Sequence, residues 1–234
     1  MIAALAPQRA RLQLIMSSLT PSDEGLYAHL TPELRTLALR GAIRTYPKKA
    51  VILNEGDIGD SLFVLLKGSV KIFAMDESGR EITYGKTHAG DYFGEMSLDG
   101  GPRSASVITL EPCTCAVLTR ADVSEHLVDE PGFAINLVAQ VIRRARAATE
   151  AARNMALLDV YSRLIAVLED PDGITTNEAT GALTLEGITH QDIASRVGAS
   201  REMISRLLKD LEKGGYIEMG TKRITLLKKL PTRW

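Results

Sequence analysis

The chain has 234 residues, with 28 Lys and Arg against 29 Asp and Glu, a formal net charge of −1 and a hydrophobic fraction of 45%. That composition excludes a disordered chain, a collagen and, with only 2 Cys, a disulfide scaffold. At roughly 100–150 residues per domain, the length allows one large domain or two modest ones, each with its own core. The longest apolar run, Ser61–Leu66, is far below the ~20 residues of a membrane span, and Arg9 and Arg11 interrupt the stretch where a leader would be apolar. A cytoplasmic protein with no membrane partner is the expectation.

In chain order, Thr31-Pro32-Glu33 reads as a helix start with Leu34, Leu37 and Ala38 on the apolar face. Short β-rich runs follow at Val51–Leu53, Leu62–Leu66, Val70–Met75, Ile82–Lys86, Ala105–Leu110 and Cys115–Leu118, with Asp76-Glu77-Ser78-Gly79 as a hairpin turn. Strands this short, separated by glycine-rich turns, predict a sandwich or barrel-like roll. Within it, Gly90–Val107 reads GDYFGEMSLDGGPRSASV. Arg103 could pair with a phosphate oxygen, Ser104 and nearby backbone N–H groups could complete a cradle, and Glu95 could accept a hydrogen bond from a ribose hydroxyl. A structural Glu95–Arg103 ion pair beside a turn fits the same residues.

From Phe133 to Leu158 there is neither Gly nor Pro. Val138, Val141, Ala145, Ala148, Ala152 and Met155 form a heptad seam on a long helix. Such a helix either lies on its own domain's core or pairs with a second copy. The small alanines and the flanking Arg143, Arg144, Arg146, Glu150 and Arg153, which leave a narrow stripe, favour a parallel dimer.

After a turn at Asp170-Pro171-Asp172-Gly173 the charge changes sign. Residues 186–234 hold 10 Lys and Arg against 6 Asp and Glu, while the remaining 185 hold 18 against 23. Gln191–Val197 is a short helix with Ile193, Ala194 and Val197 inward. Gly198 makes the turn, and Ser200 caps a second helix whose Ile204, Leu207, Leu208 and Leu211 are buried. Arg201, Glu202 and Arg206 point away from that leucine face and suit the edges of bases in a major groove. Gln191, Ser200 and Lys209 are placed for phosphates. Tyr216–Met219 and Arg223–Leu227 flank Gly220-Thr221-Lys222 as a basic wing. A solvated Glu202–Arg206 pair at i, i+4 is the bland alternative.

The roll, long helix and winged helix, with FGEMSL, PRSA and SREMISR, resemble the cyclic-AMP receptor protein (Crp/Fnr) family of bacterial transcription regulators over about residues 26–228. The resemblance implies an α+β chain: an N-terminal extension (1–25), a double-stranded β-helix (jelly-roll) cyclic-nucleotide-binding domain (26–128), a dimerisation helix (129–158) and a winged helix-turn-helix domain (159–234). It also implies that Gly94, Glu95, Arg103 and Ser104, with Met96 and Ala105 beside them, hold a cyclic nucleotide. Arg201, Glu202 and Arg206 would read a TGTGA-type half-site. Members that bind cyclic AMP commonly use a Thr-Ser pair on the dimer helix for adenine; here the positions are Ala148-Thr149. One lost hydrogen bond is worth about 0.5–1.5 kcal/mol, so cyclic AMP is the first expectation and cyclic GMP the second. Double-stranded DNA, a second copy of the chain and RNA polymerase are the expected partners. A roll responding to another small molecule or to a redox signal is the alternative.

Other chemistry is sparse. Cys113 and Cys115 share one face of a strand and read as structural thiols; two Cys cannot supply the four ligands of an iron–sulfur cluster. His29, His88, His126 and His190 lack ligand spacing, so no metal is expected. With no phosphate-binding loop, nucleophile elbow or catalytic partner for Glu95, no enzyme is expected.

Overall fold

The computed structural model describes residues 25–77, 79, 81–170, 174–176 and 183–231. The extension expected over 1–25, apart from Gly25, and the turn at 170–173, apart from Asp170, lie outside these residues.

Helix α1 (Pro32–Ala38) starts where expected. Thr31 Oγ1 accepts from the Leu34 N–H at 3.4 Å, proline follows the cap, and Leu34, Leu37 and Ala38 are buried. Eight strands follow: β1 (Ala42–Tyr46), β2 (Val51–Leu53), β3 (Leu62–Lys67), β4 (Ser69–Met75), β5 (Glu81–His88), β6 (Tyr92–Phe93), β7 (Ser106–Thr109) and β8 (Cys113–Leu118). They form two four-stranded sheets in the orders β1-β8-β3-β6 and β2-β7-β4-β5. The sequence reading omits β1, whose side chains are exposed or half-buried, and β6, which is only two residues long.

Strand β3 shows why the roll has two cores. Its five residues Leu62–Leu66 are all buried, without the alternation of a half-buried strand. Leu62, Val64 and Leu66 pack with α1 and with Tyr92, Leu118 and Phe133. Phe63 and Leu65 point the other way, into a second cluster with Val70, Phe93, Val107, Cys113 and Cys115. Phe63 and Phe93 are paired across the strands, with parallel rings 5.1 Å apart.

Helix α2 (Arg120–Asp129) begins with a capping box between Thr119 and Asp122. Helix α3 (Gly132–Leu157) is the predicted long helix. Phe133 and Gln140 are buried, and Leu137 packs beside Phe133 on the roll's core. All six positions of the predicted seam are exposed, Val138 by 54% and Met155 by 47%. The chain divides into two compact units, with α3 leaving the first at Ala145 and entering the second at Arg146.

The second unit contains α4 (Val160–Leu168), β9 (Ile174–Thr176), β10 (Leu183–Glu186), α5 (His190–Val197), α6 (Arg201–Lys213), β11 (Ile217–Gly220) and β12 (Arg223–Leu226). Its sheet has the order β11-β12-β10-β9, so the predicted wing is half of a four-stranded sheet. Leu164, Leu168, Ile193, Ile204, Leu208 and Leu211 fill its core. Gly198, at φ +69°, closes α5 in the left-handed region, and Ser200 Oγ accepts from the Met203 N–H at 3.2 Å to open α6. Arg163 donates to the carbonyls of Leu158 at 2.7 Å and Val197 at 2.9 Å, joining α4 to the ends of α3 and α5. The wing turns on Thr221 and Lys222, with Gly220 opposite Arg223 and Lys222 at φ +53°.

Beneath α3, His126 is fully buried, with its ring edge-on to Phe133 at 5.1 Å and neither ring nitrogen bonded among the described residues. Arg40 pairs with Asp129 beside it. Burial and the Arg40 cation hold His126 down at about 4, against the pull of Asp129. The unfolded chain therefore takes up this proton at higher pH than the native state, and stability falls as pH drops below the ordinary histidine range. Between pH 7 and pH 5 the roll is expected to lose about 2 kcal/mol through this residue. Urea unfolding of the wild type and His126→Leu at both pH values measures it; equal losses in the two proteins would contradict this assignment.

Candidate functional site

Arg103 and Glu95 both lie in the predicted cassette, but they do not pair with each other. Arg103 is 6% exposed, and its Nη1 donates to the carbonyls of Ser61 at 2.9 Å and Gly94 at 3.0 Å. Gly94 aims that carbonyl from φ +88°; a Cβ there would stand 2.8 Å from the Ser61 oxygen and 3.1 Å from Nη1, so the backbone requires glycine. The other edge of the guanidinium, Nε and Nη2, has no hydrogen-bond partner among the described residues. Gly59 borders that edge, and a side chain on it would begin 3.1 Å from Nη2. An Nε–Nη2 edge left open in this way is the geometry for bidentate contact with an anion. Burial lowers the Arg103 pKa and Asp60 opposes this; the group remains a cation at neutral pH.

Glu95 opens a 3₁₀ turn (Glu95–Ser97) directly after Gly94. Its side chain is completely buried, and Oε1 lies 3.0 Å from Nη1 of Arg144 on α3. The ion pair lacks the alignment of a hydrogen bond, so neither carboxylate oxygen accepts one from another described residue. Burial raises the Glu95 pKa, and Arg144 opposes this. Ser104 and Met96 lie at the surface, with Ser104 Oγ 3.4 Å from Met96 Sδ, and half-buried Ala105 leads into β7. Gly94, Glu95, Met96, Arg103, Ser104 and Ala105 thus share one corner of the roll. Thr149 lies further along α3, at an exposed position in the second unit.

Arg144, one of the charged residues flanking the predicted seam, turns toward the roll instead of solvent. Arg144 is only 26% exposed and also donates to the Tyr92 carbonyl at 3.3 Å. Gln140, one turn earlier, donates to both oxygens of Asp91 at 3.2 and 3.4 Å, and Arg143 donates to Gln140. The signal was present as Phe133, Leu137, Gln140 and Arg144, a second stripe at spacings of 4, 3 and 4. Its polar members hid it.

In the second unit Arg201, Glu202, Arg206 and Lys209 are exposed along α6, as are Gln191 on α5 and the capping Ser200. No ion pair joins Glu202 to Arg206 among the described residues. Cys113 and Cys115 are buried; Cys113 donates to the Ser69 carbonyl, and burial pushes Cys115 up to about 12. Thiols so placed are poor redox sensors. No group of three metal-ligating side chains occurs among the described residues, nor is any helix there long and apolar enough to cross a membrane.

Residues 43–129 match the cyclic nucleotide-binding domain family and residues 161–229 the Crp-like helix-turn-helix domain. The cAMP-activated global transcriptional regulator CRP of Escherichia coli O6:H1 is 32% identical over 190 residues, covering 79% of this chain and 89% of that protein. The chain belongs to the Crp/Fnr family. Its relatives there are transcription regulators, not enzymes, and it combines their cyclic nucleotide-binding and DNA-binding domains. A second Crp/Fnr relative, the cAMP-activated regulator Vfr of Pseudomonas aeruginosa, is 34% identical over 192 residues, covering 78% of this chain and 88% of Vfr. The fold is shared with the solved c-di-GMP responsive regulator CLP of Xanthomonas campestris, at a TM-score of 0.74 and 24% identity, over 84% of this chain and 99% of that one.

In this Crp/Fnr chain, replacing Arg144 by Leu leaves the Glu95 carboxylate buried without its cation. A loss of about 2 kcal/mol in the stability of the roll is expected, smaller than for a fully buried pair because Arg144 is partly solvated. Adding Glu95→Gln is expected to recover about half of it. Denaturant unfolding of the two single variants and the double variant measures the coupling, and strictly additive losses would show that the contact contributes nothing.

Proposed function

We propose that this chain is a homodimeric, cytoplasmic transcription regulator that binds a 3′,5′-cyclic nucleotide in its roll, cyclic AMP first and cyclic GMP second. The observation that carries the reading is the open Nε–Nη2 edge of Arg103, in one cassette with a buried carboxylate whose oxygens accept no hydrogen bond from any other described residue. The first suits a cyclic phosphate, and the second a ribose hydroxyl. Gly94 supplies the turn between them, Ser104 adds a phosphate donor, and Met96 and Ala105 flank the ligand. Thr149 serves as the base-facing hydroxyl that the alanine at position 148 does not provide.

The exposed stripe from Val138 to Met155 supports pairing with the same stripe of a second protomer. Two-fold symmetry then asks for a palindromic, TGTGA-like operator whose half-sites lie about 10 base pairs apart. Arg201, Glu202 and Arg206 would read bases, with Gln191, Ser200 and Lys209 on phosphates. RNA polymerase is the further partner. The ligand acts by binding one orientation of the reader domains more tightly than the other.

Calorimetric titration with cyclic AMP, cyclic GMP and cyclic di-GMP tests the pocket. Saturable binding of a cyclic mononucleotide that Arg103→Ala abolishes is expected, and absence of binding by the wild type would sink the effector assignment. For the operator, Arg206→Ala is expected to cost about 1–3 kcal/mol and to relax preference at one base pair. Selection from random duplexes reads this out; equal weakening on every sequence would place Arg206 on phosphate instead.

A further inference from the structure

The wing and the first turn of α5 enclose a cleft of about 190 Å³ that the sequence reading did not anticipate. Thr189, His190, Lys222 and Arg223 line it above the buried side chains of Ile188 and Ile224. Lys222 and Arg223 meet no carboxylate at ion-pair distance among the described residues. His190 Nδ1 lies 2.9 Å from Ser205 Oγ on α6, which fixes the ring and ties α5 to the middle of the recognition helix. Its Nε2 has no hydrogen-bond partner among the described residues.

The charges around this imidazole are mostly positive. Asp192, on the same helix, is engaged in the helix cap by the Thr189 N–H and hydroxyl at 2.9 and 2.6 Å. On α6, Arg201, Glu202 and Lys209 share the Ser205 side by three- and four-residue spacing, and Arg206 adjoins it. From the wing come Lys222 and Arg223, and on β10 the carboxylate-bearing Glu186 stands opposite Arg223 in the sheet. Such a cleft takes an anion, and the anion that comes with the α6 face in a major groove is a DNA backbone phosphodiester.

We propose that His190 is a proton-dependent phosphate contact that makes DNA binding by this chain stronger in mildly acidic conditions. The proposal rests on the DNA-binding reading above and adds to it a residue and a mode of regulation. With Nδ1 held by Ser205, protonation makes Nε2 an obligatory donor carrying full charge. A phosphate contact made by the protonated ring takes up a proton on binding, so affinity falls as pH rises.

The test is fluorescence anisotropy of the full chain with a duplex it selects from random sequence and with a scrambled duplex, at about pH 6 and about pH 8 and constant ionic strength. The wild type is expected to bind the selected duplex roughly three- to tenfold more tightly at the lower pH. His190→Gln should bind it equally at both pH values, and His190→Arg should keep the tight value at both, which separates a lost charge from a damaged fold. The same pH ratio in the wild type and His190→Gln would overturn the proposal while leaving the DNA-binding reading intact. No preference for the selected duplex at either pH would overturn that reading, and this proposal with it.

Discussion

A carboxylate enclosed by protein at neutral pH needs either a cation within a few ångströms or a proton of its own. Glu95 has no exposed side-chain surface, and the cation is Arg144, delivered from α3. Much of the first unit follows from that requirement. Arg144 reaches Glu95 because Gln140 holds Asp91 one turn earlier and Phe133 anchors the start of the helix in the core. Docking that stripe leaves Val138, Val141 and Ala145 exposed, since a shift of one residue rotates the side chain by about 100°. The ion pair, with the Gln140 and Phe133 contacts beside it, thus sets which face of this part of α3 stays exposed.

Burial on both faces has a comparable role in β3. One strand serves two cores, with Leu62, Val64 and Leu66 toward the helices and Phe63 and Leu65 between the sheets. Phe63 stacks on Phe93, immediately before Gly94, so the interior of the roll continues directly into the backbone that positions Arg103. The site is built on packed elements, which is what a preorganised binding geometry requires.

The sequence made much of this legible where a local rule acts alone. Thr31 and Pro32 announce α1, Gly198 and Ser200 announce the turn and cap of the reader, and the exposed stripe of α3 follows from its period. Strand β1 escaped because its exposed and half-buried side chains carry no strong apolar pattern, and β6 because two residues carry no period at all. Within the site, the chemistry of Glu95 and Arg103 could be read, but their partners could not. One of the two readings the residues allow pairs them with each other; the fold gives Arg103 two backbone carbonyls and gives Glu95 an arginine 49 positions away. Contacts of that range depend on how α3 crosses the sheet, and no local spacing encodes it.

The tip of the wing shows a compromise between durability and use. Lys222 sits at φ +53°, a conformation that disfavours an L side chain by about 1–2 kcal/mol and that glycine adopts freely. A glycine there would make a sturdier hairpin and remove a cation from the cleft. Laboratory selection for heat resistance alone would therefore be drawn to this codon, and the variants it enriched would have a tougher domain with one cation fewer at the cleft.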